Sequence, residues 1–99
     1  MLHLRVISGS SKGRTVSLDE SQLPLTIGRD PENKISLDHT AISRFHCSIS
    51  SESGIYFVED NDSTNGTFLN GNKLNTGVKY ELNNGDEITL CHLNMIFKY

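Results

Sequence analysis

Short apolar and β-branched runs alternate with turn-forming residues along the whole chain, and this alternation constrains the fold more than any other feature. No stretch of helical length keeps the apolar spacing of a helix, whereas period-two patterning between Gly, Asn, Asp, Ser and Pro is typical of strands. Strands are predicted at Leu2–Ile7, Arg14–Leu18, Leu23–Gly28, His46–Ser50, Ile55–Asp60, Thr67–Asn70, Glu87–Leu90 and Asn94–Tyr99, with weaker ones at Ile35–Leu37, Lys73–Leu74 and Val78–Glu81. Strands spaced by about 8–12 residues predict an all-β sandwich.

The length of the chain predicts a single domain. It has 99 residues, and no linker, repeat or low-complexity tract divides them. Met1 leads directly into the first predicted strand, so we expect the domain 1–99 to stand at a natural N-terminus. It would be either a whole protein or the first domain of a longer one.

The charge and hydropathy of the chain argue against two classes of partner. The formal net charge is −3, and the nine Lys and Arg residues are scattered singly. Nucleic-acid binding needs a clustered basic stripe, so we expect no nucleic-acid partner. No run of 18 apolar residues and no signal-peptide core is present, which predicts a cytoplasmic domain without membrane insertion.

The metal-binding residue types show no ligand pattern. Cys47 and Cys91 fit no zinc spacing, and both lie in apolar strand-like runs, so we expect two buried free thiols. The four histidines also lack the spacing of a metal site. The sequence therefore predicts no metal and no cofactor.

No assembled catalytic set is visible either. Ser43 and His46 lie three residues apart on a turn, and no residue orients them as a nucleophile and base. The stretch Gly9–Thr15 superficially resembles a phosphate-binding P-loop but has the wrong spacing, and a strand follows it. We interpret that stretch as a hairpin turn and expect no enzymatic activity.

The stretch "EDNDSTNGTFLNG", Glu59–Gly71, has four interpretations. A calcium loop fails because the required final glutamate is absent, and glycosylation would need a secreted chain. A tight turn and the rim of a binding site remain, and they are compatible. Asn65-Gly66 is a strong hairpin signal, while Asp60 and Asp62 are interpreted as turn formers rather than metal ligands.

Three polar loops together offer the groups that bind a phosphorylated side chain. Such a ligand carries nearly two negative charges and three acceptor oxygens. A guanidinium can contact two of these oxygens, and hydroxyl and backbone N–H groups can contact the rest. Arg29, which follows a glycine, Ser43 and Arg44 supply this set, and Thr64 and Asn65 can complete it.

Four motifs resemble the forkhead-associated (FHA) domain, in its order and at its spacing. They are "IGRDPENKISL", "ISRFH", "STNGTFLNG" and "NGDEITL". The resemblance implies a β-sandwich of about eleven short, mainly antiparallel strands, with the binding loops at one end. It also implies binding of a phosphothreonine peptide, with phosphothreonine preferred because a small pocket accepts its methyl group.

The resemblance also implies a role for each matching residue. Arg29 would clamp the phosphate, Ser43 would donate its hydroxyl, and Arg44 would add a second contact. Thr64 would line the phosphate pocket, and Asn65 would hold the peptide main chain. Gly28, His46 and Gly66 would support the site structurally, since His46 is expected to brace the binding loops and Gly66 completes the Asn65 turn.

Two functions from different classes follow. The first is a phosphothreonine-dependent interaction module that recruits a partner, or a segment of its own protein, modified by a Ser/Thr kinase. The second is a phospho-independent scaffold that uses another face of the sandwich. The presence of Arg29, Ser43 and Asn65 together favours the first.

Overall fold

The computed structural model describes residues 1–9 and 11–99. Within these residues the chain forms eleven strands and a single turn of 3-10 helix at Glu20–Gln22. The strands are β1 (Leu2–Val6), β2 (Thr15–Leu18), β3 (Leu25–Gly28), β4 (Ile35–Ser36), β5 (Cys47–Glu52), β6 (Ile55–Asp60), β7 (Thr67–Leu69), β8 (Asn72–Lys73), β9 (Tyr80–Leu82), β10 (Glu87–Leu90) and β11 (Leu93–Lys98). Every predicted strand is present, and no end is shifted by more than two residues.

The strands form two sheets packed face to face. One sheet has the order β2-β1-β11-β10-β7-β8, and the other has the order β4-β3-β5-β6-β9. All neighbouring strands pair antiparallel except β3 and β4, which are parallel. The predicted all-β sandwich of about eleven mainly antiparallel strands is therefore confirmed.

The core lies between the sheets and follows the period-two pattern of the strands. In β1, Leu2, Leu4 and Val6 are buried while the residues between them are exposed. Phe97 is fully buried, and its ring packs edge-on against Tyr56 with centroids 5.6 Å apart. One apolar cluster joins both sheets, so the two layers form one unit.

Strand register brings three loops to the same edge of the second sheet. Ile27, next to the end of β3, pairs with Cys47 at the start of β5, and Cys47 pairs with Asp60 at the end of β6. The loops after β3, before β5 and after β6 therefore begin side by side.

Two expectations about turns and thiols are wrong. Asn65-Gly66 is not a hairpin, because β6 and β7 lie in different sheets and the segment crosses between them. The hairpin of this stretch is Asn70-Gly71, whose φ angles of 50° and 84° join the paired strands β7 and β8. Cys47 is a buried free thiol as expected, but Cys91 is only partly buried.

The exposure of Cys91 has a simple geometric cause. β10 and β11 pair directly, so the chain reverses between Leu90 and Leu93, and Cys91 adopts a φ of 56° in that turn.

For the Gly9–Thr15 stretch, β1 and β2 pair antiparallel on either side, as a hairpin requires, while Ser10 lies outside the described residues. Among the described residues, no helix is long and apolar enough to cross a membrane.

Candidate functional site

The structure brings the five predicted binding residues together at the edge formed by the three loops. The Ser43 Oγ accepts a hydrogen bond from the Thr64 N–H at 2.9 Å. The Asn65 Nδ2 donates to the Ala41 carbonyl at 2.8 Å, so both contacts join the β4–β5 loop to the β6–β7 loop. A cavity of about 110 Å³ opens between them, lined by Arg29, Ser43, Thr64 and Asn65 together with Thr40, Ala41 and Ile42.

Arg29 is held at its backbone and at the near end of its guanidinium. Its N–H donates to the Ser43 carbonyl at 3.0 Å, and its Nε donates to the Ile42 carbonyl at 3.1 Å. Within residues 1–9 and 11–99, its two terminal amino groups have no protein partner. The side chain is thus oriented, and its outer edge is free to contact an anion.

Gly28 permits the close approach of β3 to the β4–β5 loop. A Cβ atom built on this buried residue would lie 2.1 Å from the Arg44 carbonyl oxygen. The next residues, Arg29 and Asp30, donate their N–H groups to the carbonyls of Ser43 and Arg44. Only glycine fits this contact, which sets the distance between Arg29 and the Ser43-Arg44 pair.

His46 is fully buried beneath the site and links two of its loops. Its Nδ1 accepts from the Ser43 N–H at 3.1 Å, and its Nε2 lies 2.9 Å from the Gly66 carbonyl. These partners place the ring proton on Nε2, since Nδ1 faces a donor and Nε2 an acceptor. Burial lowers the pKa of His46 below its ordinary value, with opposing smaller effects from the Gly66 contact and Asp60.

The same contacts separate the Ser43 hydroxyl from the imidazole. His46 receives the backbone N–H of Ser43, whereas the hydroxyl lies against Thr64. This is not the geometry of a nucleophile activated by a base. In the described part of the chain, no group of three His, Cys, Asp or Glu side chains is placed to hold a metal ion.

Asp60 has a larger structural role than the turn former that its position predicts. It is buried at the end of β6 and accepts hydrogen bonds from the hydroxyls of Ser63 and Thr67. Burial alone would raise its pKa, but these hydrogen bonds, together with those from the Thr76 hydroxyl and the Ser63 N–H, outweigh burial and lower it. Asp60 therefore stays ionised and fixes the start of the loop that carries Thr64 and Asn65. Asp62, with a φ of 57°, matches its predicted role in a turn.

Asn33 is a contributor that the sequence did not single out. It is only 5% exposed, and its Nδ2 donates to the carbonyls of Asp30 at 2.8 Å and Arg44 at 2.6 Å. It therefore joins the loop of Arg29 to the loop of Ser43 and Arg44. Asn in "DPENK" fits a solvated turn equally well, and its burial depends on residues eleven positions away.

Comparisons with known proteins agree with the fold and the motifs. The FHA domain family model matches residues 25–91. The chain is similar to the FhaA FHA domain, solved in complex with the intracellular domain of Rv3910, at 31% identity and a TM-score of 0.83, covering 99% of this chain and 100% of that one. It is also similar to the N-terminal FHA domain of S. cerevisiae Rad53p, solved with a phosphothreonine peptide, at 29% identity and a TM-score of 0.84, covering 98% and 91%.

Two curated relatives from bacteria also match. The chain is 34% identical over 94 residues to the glycogen accumulation regulator GarA of Mycolicibacterium smegmatis and 35% identical over 94 residues to the oxoglutarate dehydrogenase inhibitor of Corynebacterium glutamicum. Each match covers 95% of this chain, which spans only 56% and 62% of the lengths of these relatives. The family model covers more than half of the 99 residues and solved FHA domains share the fold, so the predicted resemblance is confirmed and the chain belongs to the FHA domain family.

Proposed function

We propose that this FHA domain binds phosphothreonine peptides and thereby recruits a partner, or a segment of its own protein, that a Ser/Thr kinase has modified. The observation that carries this proposal is the free outer edge of the oriented Arg29 guanidinium, which faces a small cavity beside Ser43 and Thr64. A phosphate dianion placed there would receive charge-assisted hydrogen bonds from Arg29 and the Ser43 hydroxyl. Arg44, exposed on the same loop as Ser43, would supply a second positive charge.

Asn65 is suited to hold the main chain of the ligand. Its Nδ2 is engaged by the Ala41 carbonyl, so the amide plane is oriented and the Oδ1 remains available as an acceptor. A peptide N–H next to the phosphothreonine would donate to this oxygen. The relevant kinase product would therefore be recognised both by its phosphate and by its backbone.

The size of the cavity favours phosphothreonine over phosphoserine. At about 110 Å³, with Ala41 and Ile42 among its lining residues, it has room for a phosphate and apolar surface for one methyl group. Burial of a methyl group contributes about 0.8 kcal/mol, which corresponds to roughly a fourfold preference.

The domain acts by binding and not by catalysis, and needs no cofactor. Ser43 and His46 are not paired as a nucleophile and base, because His46 accepts the Ser43 backbone N–H while the Ser43 hydroxyl lies against Thr64. We further propose that residues 1–99 form a single domain. We propose that this domain works in the cytoplasm, where kinases and their substrates meet.

Calorimetry with matched peptides tests the function directly. A degenerate phosphothreonine library and individual peptides from it would be titrated against the wild type, Arg29→Ala and Arg5→Ala, with phosphoserine and unphosphorylated versions. Arg5→Ala is the control because Arg5 is exposed on β1, away from the three loops.

We expect phosphothreonine peptides to bind and Arg29→Ala to lower the affinity about tenfold or more, since each hydrogen bond to a charged group contributes about 1.5–3 kcal/mol. Arg5→Ala should bind as the wild type does. Binding that is indifferent to the phosphate and to Arg29→Ala would instead support the phospho-independent scaffold.

A further inference from the structure

A second cavity adjoins the cavity of about 110 Å³ that we assign to the phosphate, here called the phosphate cavity. It has a volume of about 390 Å³ and shares Arg29, Ser43 and Thr64 with the smaller one. Its remaining wall is formed by Arg44, Phe45, Asn61 and Asp62. Because the two cavities share three residues, a ligand whose phosphate lies on Arg29 has neighbouring atoms within reach of the larger cavity.

Phe45 gives this cavity an apolar wall. The side chain is 41% exposed although it lies between Arg44 and the fully buried His46. A single exposed aromatic residue is common on protein surfaces and by itself indicates no ligand. Its position in the wall of a cavity that begins at the phosphate site makes its ring available to a side chain of the ligand.

Asp62 gives the same cavity a free carboxylate. Its backbone is fixed, since its N–H donates to the Thr76 Oγ1 at 2.7 Å and its φ is 57°. Throughout the described residues, the Asp62 carboxylate has no hydrogen-bond or ion-pair partner. Asp60, two residues earlier, differs in that its carboxylate is occupied by Ser63 and Thr67.

The charges of the cavity change when phosphate binds. In the free domain, the two positive charges of Arg29 and Arg44 exceed the single negative charge of Asp62, so a cation is not attracted to the cavity. A bound phosphate dianion neutralises the two guanidinium groups, after which Asp62 is the remaining charge. The cavity then presents an apolar ring and an uncompensated carboxylate, a combination that suits a long aliphatic stem ending in a cation.

We propose that this cavity is a specificity subsite for a Lys or Arg side chain close in sequence to the phosphothreonine. The aliphatic stem lies along the Phe45 ring, and the cationic group pairs with Asp62. The inference rests on the proposed function, and it narrows the ligand class to phosphothreonine segments that carry a neighbouring basic residue.

The test is a positional scan around the phosphothreonine. Alanine-based phosphothreonine peptides would carry Lys, Arg, norleucine or Glu at each flanking position in turn, and affinities would be expressed relative to Ala. At one position or more we expect Lys and Arg to bind about three- to tenfold more tightly than Ala, the combined effect of an exposed ion pair and of the apolar contact between the aliphatic stem and the ring. Norleucine should gain less than Lys, and Glu should gain nothing.

Two variants then assign the preference to the cavity. Phe45→Ala and Asp62→Asn should each bring the Lys-to-Ala affinity ratio towards one, and Asn is chosen because it tolerates positive φ. Ile55→Ala and Glu81→Gln, which alter an exposed apolar and an exposed acidic residue on β6 and β9, should leave the ratio unchanged. Thermal unfolding of each variant would establish that it is folded.

The contrary outcomes separate the two proposals. If phosphothreonine peptides bind but no flanking position prefers Lys or Arg, the subsite is wrong and the phosphothreonine function stands. The subsite is also wrong if norleucine equals Lys, or if the Lys preference survives both Phe45→Ala and Asp62→Asn. If the folded wild type binds no phosphothreonine peptide at all, the proposed function fails and the subsite fails with it.

Discussion

Single polar side chains beneath the binding residues hold the loops in place. Asn33 and His46 both bond to backbone atoms of the β4–β5 loop, at Arg44 and Ser43 respectively. Neither faces the phosphate cavity. They fix the spacing between the residues that do face it. Replacing either side chain should therefore change both the stability of the fold and the affinity for the peptide.

Replacement of Asn33 should lower both the stability of the fold and the affinity for a phosphothreonine peptide. Asn33→Ala removes two hydrogen bonds and leaves the backbone carbonyls of Asp30 and Arg44 without these donors, which costs about 1–3 kcal/mol of unfolding free energy. Asn33→Asp should cost more, because a carboxylate oxygen would face two carbonyl oxygens. Urea denaturation measures the loss of stability, and calorimetry with a phosphothreonine peptide measures the loss of affinity. Asn72→Ala on the exposed strand β8 is the control and should change stability by less than about 0.5 kcal/mol.

The buried His46 predicts a stability that depends on pH. Its pKa is lowered from 6.5 in the folded domain, so the unfolded chain binds the proton more readily. The stability contributed by the neutral ring is fully present above pH 6.5, declines as the pH falls below 6.5, and levels off below the lowered pKa. Protonation also removes the acceptor for the Ser43 N–H.

Urea denaturation between pH 7.5 and pH 5 would measure this dependence. His46→Gln should be less stable at pH 7.5 but should lose the decline assigned to the imidazole. His3→Gln, which alters an exposed histidine on β1, should keep it. An undiminished decline in His46→Gln would show that another group is responsible.

The strands and turns differ in how far local chemistry specifies them. Period-two alternation depends on neighbours within a few residues, so every strand could be predicted from the sequence, and only the ends shifted. Turn identity was harder, because Asn65-Gly66 and Asn70-Gly71 share the same residue types. Only the second joins strands of one sheet, and sheet membership depends on pairing partners far along the chain.

Gly28 and Gly71 are needed for different reasons, Gly28 for the close packing of two segments and Gly71 for a positive φ angle. Gly28→Ala would place a Cβ atom 2.1 Å from the Arg44 carbonyl oxygen, so β3 and the β4–β5 loop must move apart. We expect a loss of about 1–3 kcal/mol in stability and a clear loss of phosphopeptide affinity. Gly71→Ala meets no atom within 4 Å but has a φ of 84°, so it should cost about 1–2 kcal/mol and leave affinity unchanged. Denaturation and calorimetry on both variants test this, and equal affinity losses would contradict it.

In the molecule as a whole, the binding loops belong to the same cooperative unit as the core. His46 connects the β4–β5 loop to Gly66, and β7, which follows at once, lies in the other sheet. A ligand held by the loops therefore stabilises both layers. Ligand binding should be visible in global unfolding, not only in local protection of the loops.

A phosphothreonine peptide at 100 times its dissociation constant should raise the unfolding free energy by about 2.7 kcal/mol. For a domain of this size, that increase corresponds to a rise of about 10 °C or more in Tm. Differential scanning calorimetry would measure it, with the unphosphorylated peptide and the Arg29→Ala variant as controls. A ligand that binds without raising Tm would indicate a site uncoupled from the fold.

The sequence predicts the binding residues themselves better than it predicts the contacts that hold them in place. Arg29, Ser43, Arg44, Thr64 and Asn65 lie in recognisable motifs, and the structure brings them to one edge. Asn33 and the cavity of Phe45 and Asp62 have no such signal, since polar loop residues look alike until their burial and neighbours are known. The prediction that Cys91 is buried is wrong for a related reason, because an apolar run does not reveal where the chain turns.

Local chemistry was thus sufficient for the strand pattern, the sandwich class and the binding motifs, because backbone preference and side-chain alternation act over a few residues. The tertiary structure decided which turn is a hairpin, that Cys91 is only partly buried, and that Asn33 joins two of the loops. It also decided that a second cavity opens beside the phosphate cavity. Each of these depends on contacts between residues far apart in the chain, and their energies arise only after the two sheets have packed together.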